Sequence, residues 1–197
     1  MTTLRPEQET ALRYALEKGT KAPVADIRAK TAATFSKLET LLASLPEEVV
    51  RVRPALDRWC VQEIVDHLLE SHRPAVDDLR TLLRGERPAR GPIPASLLSA
   101  DPLGQPWPDL LRRFGEVLRE LLAVLDTASD DTPLEARAPV VMVVKVQEPD
   151  GRMVPVQWVE DFDWKASAIL VRAHTLEHIG QIERTLAAVQ STSVPPL

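Results

Sequence analysis

Long stretches in which apolar residues recur every three or four positions, separated by proline and glycine, restrict this chain to packed helices. From Pro23 to Leu45 the residues Val24, Ile27, Thr31, Phe35, Leu38, Leu41, Leu42 and Leu45 fall on one helical stripe, and Pro46 ends it. A second stripe runs from Val61 to Leu83 through Ile64, Val65, Leu68, Val76, Leu79 and Leu82, closing at Gly85. A third spans Asp109 to Leu125, with Pro108 suited to its first turn. A last helix is predicted from Asp163 to Val189, and a shorter one from Pro6 to Lys18 stops at Gly19. Four long helices in a chain of 197 residues, enough for one core, predict a single all-α domain built as a four-helix bundle. Residues 1–20 form an N-terminal helical extension.

Two segments break the helical period. Gly85 to Pro108 is crowded with proline and predicts an irregular crossover, a link between non-neighbouring helices or a lid over a pocket. Val140 to Gln147 and Met153 to Val159 are rich in β-branched residues and flank Glu148-Pro149-Asp150-Gly151, so they predict a β-hairpin before the last helix. Its alternating valines, Val141, Val143, Val154 and Val156, give it two faces to cover. There is no internal repeat.

Composition removes several classes of function. A net charge of −5 without a basic cluster argues against nucleic-acid binding. No run of 18 apolar residues spans a bilayer, and the start, Met1-Thr2-Thr3-Leu4-Arg5-Pro6, is no secretory signal. One cysteine, Cys60, permits no intrachain disulfide and suits a reducing compartment. The expectation is a cytoplasmic protein acting on small molecules, with no nucleic-acid or membrane partner.

Chemistry concentrates in the histidines. His174 and His178 stand four apart on the last helix, which places two imidazoles on one face about 6 Å apart at Cβ, able to grip one metal ion. His67, on the apolar stripe of another helix, would complete a three-nitrogen set that leaves coordination positions open. His72 follows His67 by five residues and points about 140° away, which predicts a place at the surface or rim. Pro74 is expected to kink the helix above the site.

A tryptophan before a helix carrying His67-Leu68, a long connection, and His174-x-x-x-His178-x-x-Gln181-Ile182 in the last helix resemble the DinB/YfiT-like superfamily of metal-binding four-helix bundles. The resemblance runs from Pro23 to Val189, and the helical prefix before Lys21 lies outside it. It implies that His67, His174 and His178 hold zinc, nickel or iron, and that two chains pair as a homodimer. Activities it implies are thiol-dependent transfer with bacillithiol or mycothiol, maleylpyruvate isomerisation and proposed hydrolysis. Where the family often has serine as the cap of the second long helix, this chain has Cys60, with Glu63 as its capping-box partner and Asp57 as the other candidate cap.

Gln181 lies one turn beyond His178, where its amide can orient a ligand or a metal-bound water. Glu63 reads as a cap, Glu70 and Glu177 as solvated or interhelix charges. Trp59, Trp107, Trp158 and Trp164 sit near element ends, as packing or as pocket walls. Gly180 inside the last helix predicts close packing against another helix. Cys60 is two turns from His67 and is no ligand, so no cysteine is placed to be the protein's own nucleophile. The reading is a metal-dependent enzyme in which an external low-molecular-weight thiol attacks a small electrophile. Metal-dependent hydrolysis and a non-catalytic metal- or ligand-binding role are the alternatives. Affinity for the metal should fall as the pH drops through about 6, where an ordinary imidazole protonates.

Overall fold

The computed structural model describes residues 4–192. Four long helices form the bundle: α2 (Val24–Ala43), α4 (Val61–Leu83), α5 (Trp107–Leu125) and α6 (Trp164–Thr192). A short α3 (Glu47–Val50) lies in the α2–α4 connection, and α1 (Pro6–Ala15) continues through a π-helical turn, Leu16–Thr20. Strands β1 (Ala138–Gln147) and β2 (Met153–Phe162) make one antiparallel hairpin between α5 and α6. Gly151 takes φ 86° in its turn, a conformation side-chain-bearing residues rarely adopt.

Side-chain pairs fix the directions of the helices. Arg80 meets Glu120 and Glu70 lies 4.0 Å from Arg113, so α4 and α5 are parallel neighbours. Lys37 meets Glu183 and Lys165 reaches the Ala22 carbonyl, so α2 and α6 are parallel as well. Arg28 pairs with Asp126 and His72 with Thr175, which makes the α2–α5 and α4–α6 contacts antiparallel. The bundle is therefore up-down-down-up. Since α4 is about 34 Å long at 1.5 Å per residue, the chain must travel that length back before α5 can run beside it. The proline-rich connection thus links parallel neighbours, not distant helices.

Polar groups on α4 hold that connection in place. The buried Asp66 accepts the Ser99 N–H and the Gln105 amide, each at 2.8 Å. Gln62 donates to the carbonyls of Pro102 and Gln105. Arg90 clamps Asp78 and donates to the Pro74 carbonyl at 2.9 Å, while α4 continues through Pro74.

The main core is aliphatic and draws on all four bundle helices, with Phe35, Leu38, Leu68, Leu79, Phe114, Leu121 and Trp164 among its fully buried members. A second cluster, Ala15, Met142, Phe162 and Ala166, joins the N-terminal extension, the hairpin and the start of α6. Here Gly19 is essential, because a Cβ added to it would lie 2.6 Å from the Ala166 Cα. The close approach expected at Gly180 is absent: a Cβ there meets only the Arg184 Nη1, at 3.2 Å. Cys60 is the residue before α4, and the Glu63 carboxylate accepts its N–H at 2.9 Å, whereas Asp57 is exposed. Burial pushes the Cys60 thiol up, which keeps it protonated and inert.

Candidate metal centre

His67 stands in the second turn of α4, and His174 and His178 one turn apart on α6. The antiparallel packing of these two helices brings the three Nε2 atoms together: His174 Nε2 is 3.1 Å from that of His67 and 3.0 Å from that of His178. Each of the three residues offers one ring nitrogen within 4.8 Å of the others. Trp59, partly buried, packs its ring 5.2 Å from that of His67 and closes one side.

The opposite ring nitrogens decide what the convergent atoms can do. His67 Nδ1 lies 2.8 Å from the Leu97 carbonyl, which only accepts, so the proton sits on Nδ1 and Nε2 carries a lone pair. His178 Nδ1 lies 2.7 Å from the Gln181 Oε1, which fixes the same tautomer. His174 Nε2 can therefore either donate to one of these two lone pairs or, with its own proton on Nδ1, add a third lone pair about 3 Å from both, an arrangement that a positive ion between them relieves. Two nitrogens bound to one zinc ion at about 2.1 Å stand roughly 3.0–3.4 Å apart, so the observed spacing fits a shared divalent cation.

Burial keeps these rings neutral, the form that binds metal. His67 is pushed below its ordinary value by burial, opposed by its bond to Leu97 and the charge of Asp66. Burial and the His67 charge bring His178 down to about 4, and burial with three histidine neighbours holds His174 well below 6.5.

The placement of His72 corrects the sequence expectation. It is 1% exposed, not at a rim, with its ring between Phe35, Phe114 and His174. The face 140° from His67 is buried too, because α4 is covered by α5 as well as α6. Thr175 donates its hydroxyl to the Val171 carbonyl, so its oxygen accepts His72 Nε2–H at 2.9 Å. Burial lowers His72 to about 3. Its Nε2 is engaged and it stays outside the three-nitrogen group.

The histidines stand on the wall of a cavity of about 940 Å³ bounded by α1, α4, α6, β1 and the crossover residues 93–95. His174 is partly exposed, whereas His67 and His178 are buried. Glu177 is exposed and also lines the cavity; Glu63 and Glu70 do not. Glu63 is held by Cys60 and Arg53, as a cap. Among the tryptophans, Trp107 and Trp164 are core, and Trp158 packs on the second cluster. The Leu97 carbonyl was invisible in the sequence because any residue supplies one.

A four-helix bundle with an open group of three neutral imidazoles on facing helices defines a class of proteins equipped to hold a divalent metal. The match to the DinB superfamily over residues 30–159 identifies the family, and this chain belongs to it. The matched stretch contains His67 and ends before His174 and His178. Among solved structures, the four-helix bundle protein TT2238 is similar at 12% identity and a TM-score of 0.51, over 82% of this chain and 98% of that one. YfiT from Bacillus subtilis, described as a probable metal-dependent hydrolase with an unusual four-helix bundle topology, aligns at 18% identity and a TM-score of 0.48, over 95% of this chain and 92% of that one. No curated protein sequence matches the chain. Among the described residues, no helix is long and apolar enough to cross a membrane.

Proposed function

We propose that this protein is a metal-dependent enzyme that uses His67, His174 and His178 to hold zinc, nickel or iron, and joins a low-molecular-weight thiol, after loss of its S–H proton, to a small electrophile through a new bond to sulfur. The observation that carries the reading is the convergence of three Nε2 atoms, two with their tautomers fixed by Leu97 and Gln181, on the wall of a large cavity. A divalent cation with three neutral ligands keeps its charge and acidifies a thiol or water that reaches it.

The chain's own residues favour the thiol over water. Cys60 is buried and capped away from the site, so the nucleophile comes from outside. Hydrolysis by a metal-bound hydroxide needs a polar group to position the water. The Gln181 oxygen, expected to orient such a water, is taken by His178, and the Glu63 carboxylate is held as a cap by Arg53 and the Cys60 N–H. A thiol, whose free pKa is about 8.5, asks for less help at neutral pH.

The test is to incubate metal-loaded protein with bacillithiol, mycothiol or glutathione and a panel of electrophiles, beside ester and amide substrates and a His67→Ala control. Thiol consumption above the control is expected. Consumption equal to the control with ester or amide cleavage would make the protein a hydrolase, and inactivity in every assay a metal- or ligand-binding protein.

A further inference from the structure

Four observations bear on what the cavity holds. More than half of its lining residues are Ala, Val, Leu, Ile, Met or Pro. Its volume, about 940 Å³, is that of a site for a whole small molecule, not for a metal and a few waters. Its charged lining is Glu7, Asp78, Glu177 and Lys145, with Asp78 already neutralised by Arg90. Among the described residues no arginine lines it, so with no metal bound an anionic ligand would meet carboxylates and a single lysine. Last, Ser167, only 8% exposed, is among the lining residues, and its buried hydroxyl oxygen has no hydrogen-bond partner. An unpaired buried hydroxyl destabilises the empty protein, and a ligand group that bonds to it removes that cost.

On α6, Ser167 and His174 are seven residues apart, on one face, about 10 Å along the axis. Between them Leu170 and Val171 also line the cavity. Across from this stripe stand Ala11 and Tyr14 of α1, and Tyr14 accepts a hydrogen bond from Arg172 Nη1 at 3.0 Å, tying the extension to α6. The extension lies outside the residues matched to the family.

We propose that the cavity binds an uncharged, mostly aliphatic small molecule laid along α6, its reacting end at the three histidines and a hydrogen-bonding group two helical turns away on Ser167, and that α1 is the wall that selects it. As a statement of substrate class this rests on the function proposed above. As a statement of binding it does not need the metal.

The full-length protein would be titrated, with chelator and again with zinc, with two dyes of nearly the same shape: neutral N-phenyl-1-naphthylamine and anionic 8-anilinonaphthalene-1-sulfonate. The neutral dye should bind in both conditions and, with chelator present, at least about tenfold more tightly than the sulfonate. Ala11→Trp, which fills the cavity from α1, should weaken the neutral dye by about tenfold or more. Ser167→Ala should weaken displacement of the dye by 1-octanol about threefold to tenfold, the effect of one hydrogen bond. Equal affinity for the two dyes in the presence of chelator overturns the proposal. So does unchanged dye binding in Ala11→Trp, or unchanged octanol affinity in Ser167→Ala. Should Ala11→Trp fail to fold, the dye pair and Ser167→Ala decide. Dye binding without metal binding would sink the proposed enzyme and leave the cavity assignment standing; metal binding without dye binding would do the reverse.

Discussion

The Leu97 carbonyl, in the middle of the crossover, lies 2.8 Å from His67 Nδ1, so the connection that returns the chain from the end of α4 also sets the tautomer of a residue near its start. Asp66, beside His67 in sequence, is the anchor, because it holds Ser99 and Gln105 on either side of the loop's turn back to α5. The loop and the three-histidine group are tied into one unit.

Asp66→Ala should therefore act on the site without touching it. Two buried hydrogen bonds to a carboxylate are lost, at roughly 1.5–3 kcal/mol each, and the carbonyl that orients His67 is freed. Chemical denaturation should show a loss of a few kcal/mol, and competition with a chelator should show weaker zinc binding. Gln181→Ala removes the acceptor on His178 and should weaken zinc by about 10- to 100-fold while barely changing the melting temperature.

Elemental analysis should find about one divalent metal per chain, lost in the His174→Ala/His178→Ala variant and kept in His72→Phe. Loss of metal in His72→Phe would mean a fourth ligand.

The pH dependence follows from burial. The reference imidazole value is 6.5, while His178 is lowered to about 4 and His72 to about 3. Since burial lowers all three ligand histidines, metal affinity should begin to fall at a lower pH than the ordinary imidazole value implies. For the metal-free protein the sign is the same: below about 6.5 the unfolded chain takes up protons that the folded chain refuses, so stability falls as the pH drops toward 4. Denaturant midpoints at pH 7, 5.5 and 4.5 check it, and a flat series would contradict the burial of these rings.

Two glycines should respond in opposite ways. Gly19→Ala puts a methyl group 2.6 Å from the Ala166 backbone and should destabilise by about 1–3 kcal/mol. Gly180→Ala meets only the movable end of Arg184 and should be neutral or stabilise by up to about 1 kcal/mol, as helix propensity favours alanine. Thermal melts of the two variants compare them directly.

The homodimer implied by the family resemblance is a proposal that light scattering at micromolar concentration decides. A monomer would show that the exposed Val143, Met153 and Val159 of the hairpin need no second chain.

What the sequence determined by itself was everything governed by spacing along the chain: the four bundle helices, the hairpin and its turn, and the His174–His178 pair, because helical periodicity is a local property that survives without knowledge of partners. The approach of His67 to that pair was suggested by its apolar face and the family resemblance, but the closure to about 3 Å came from antiparallel packing of α4 and α6. Tertiary structure alone decided the rest. His72 is buried because α4 has neighbours on more than one side, which no periodicity on α4 records. The acceptor on His67 is a backbone carbonyl 30 residues away, which no side chain announces. Gly19, expected only to stop a helix, and the extension it belongs to gained their role from Ala166 across the fold, since close contact is a property of two surfaces and the sequence writes down only one at a time.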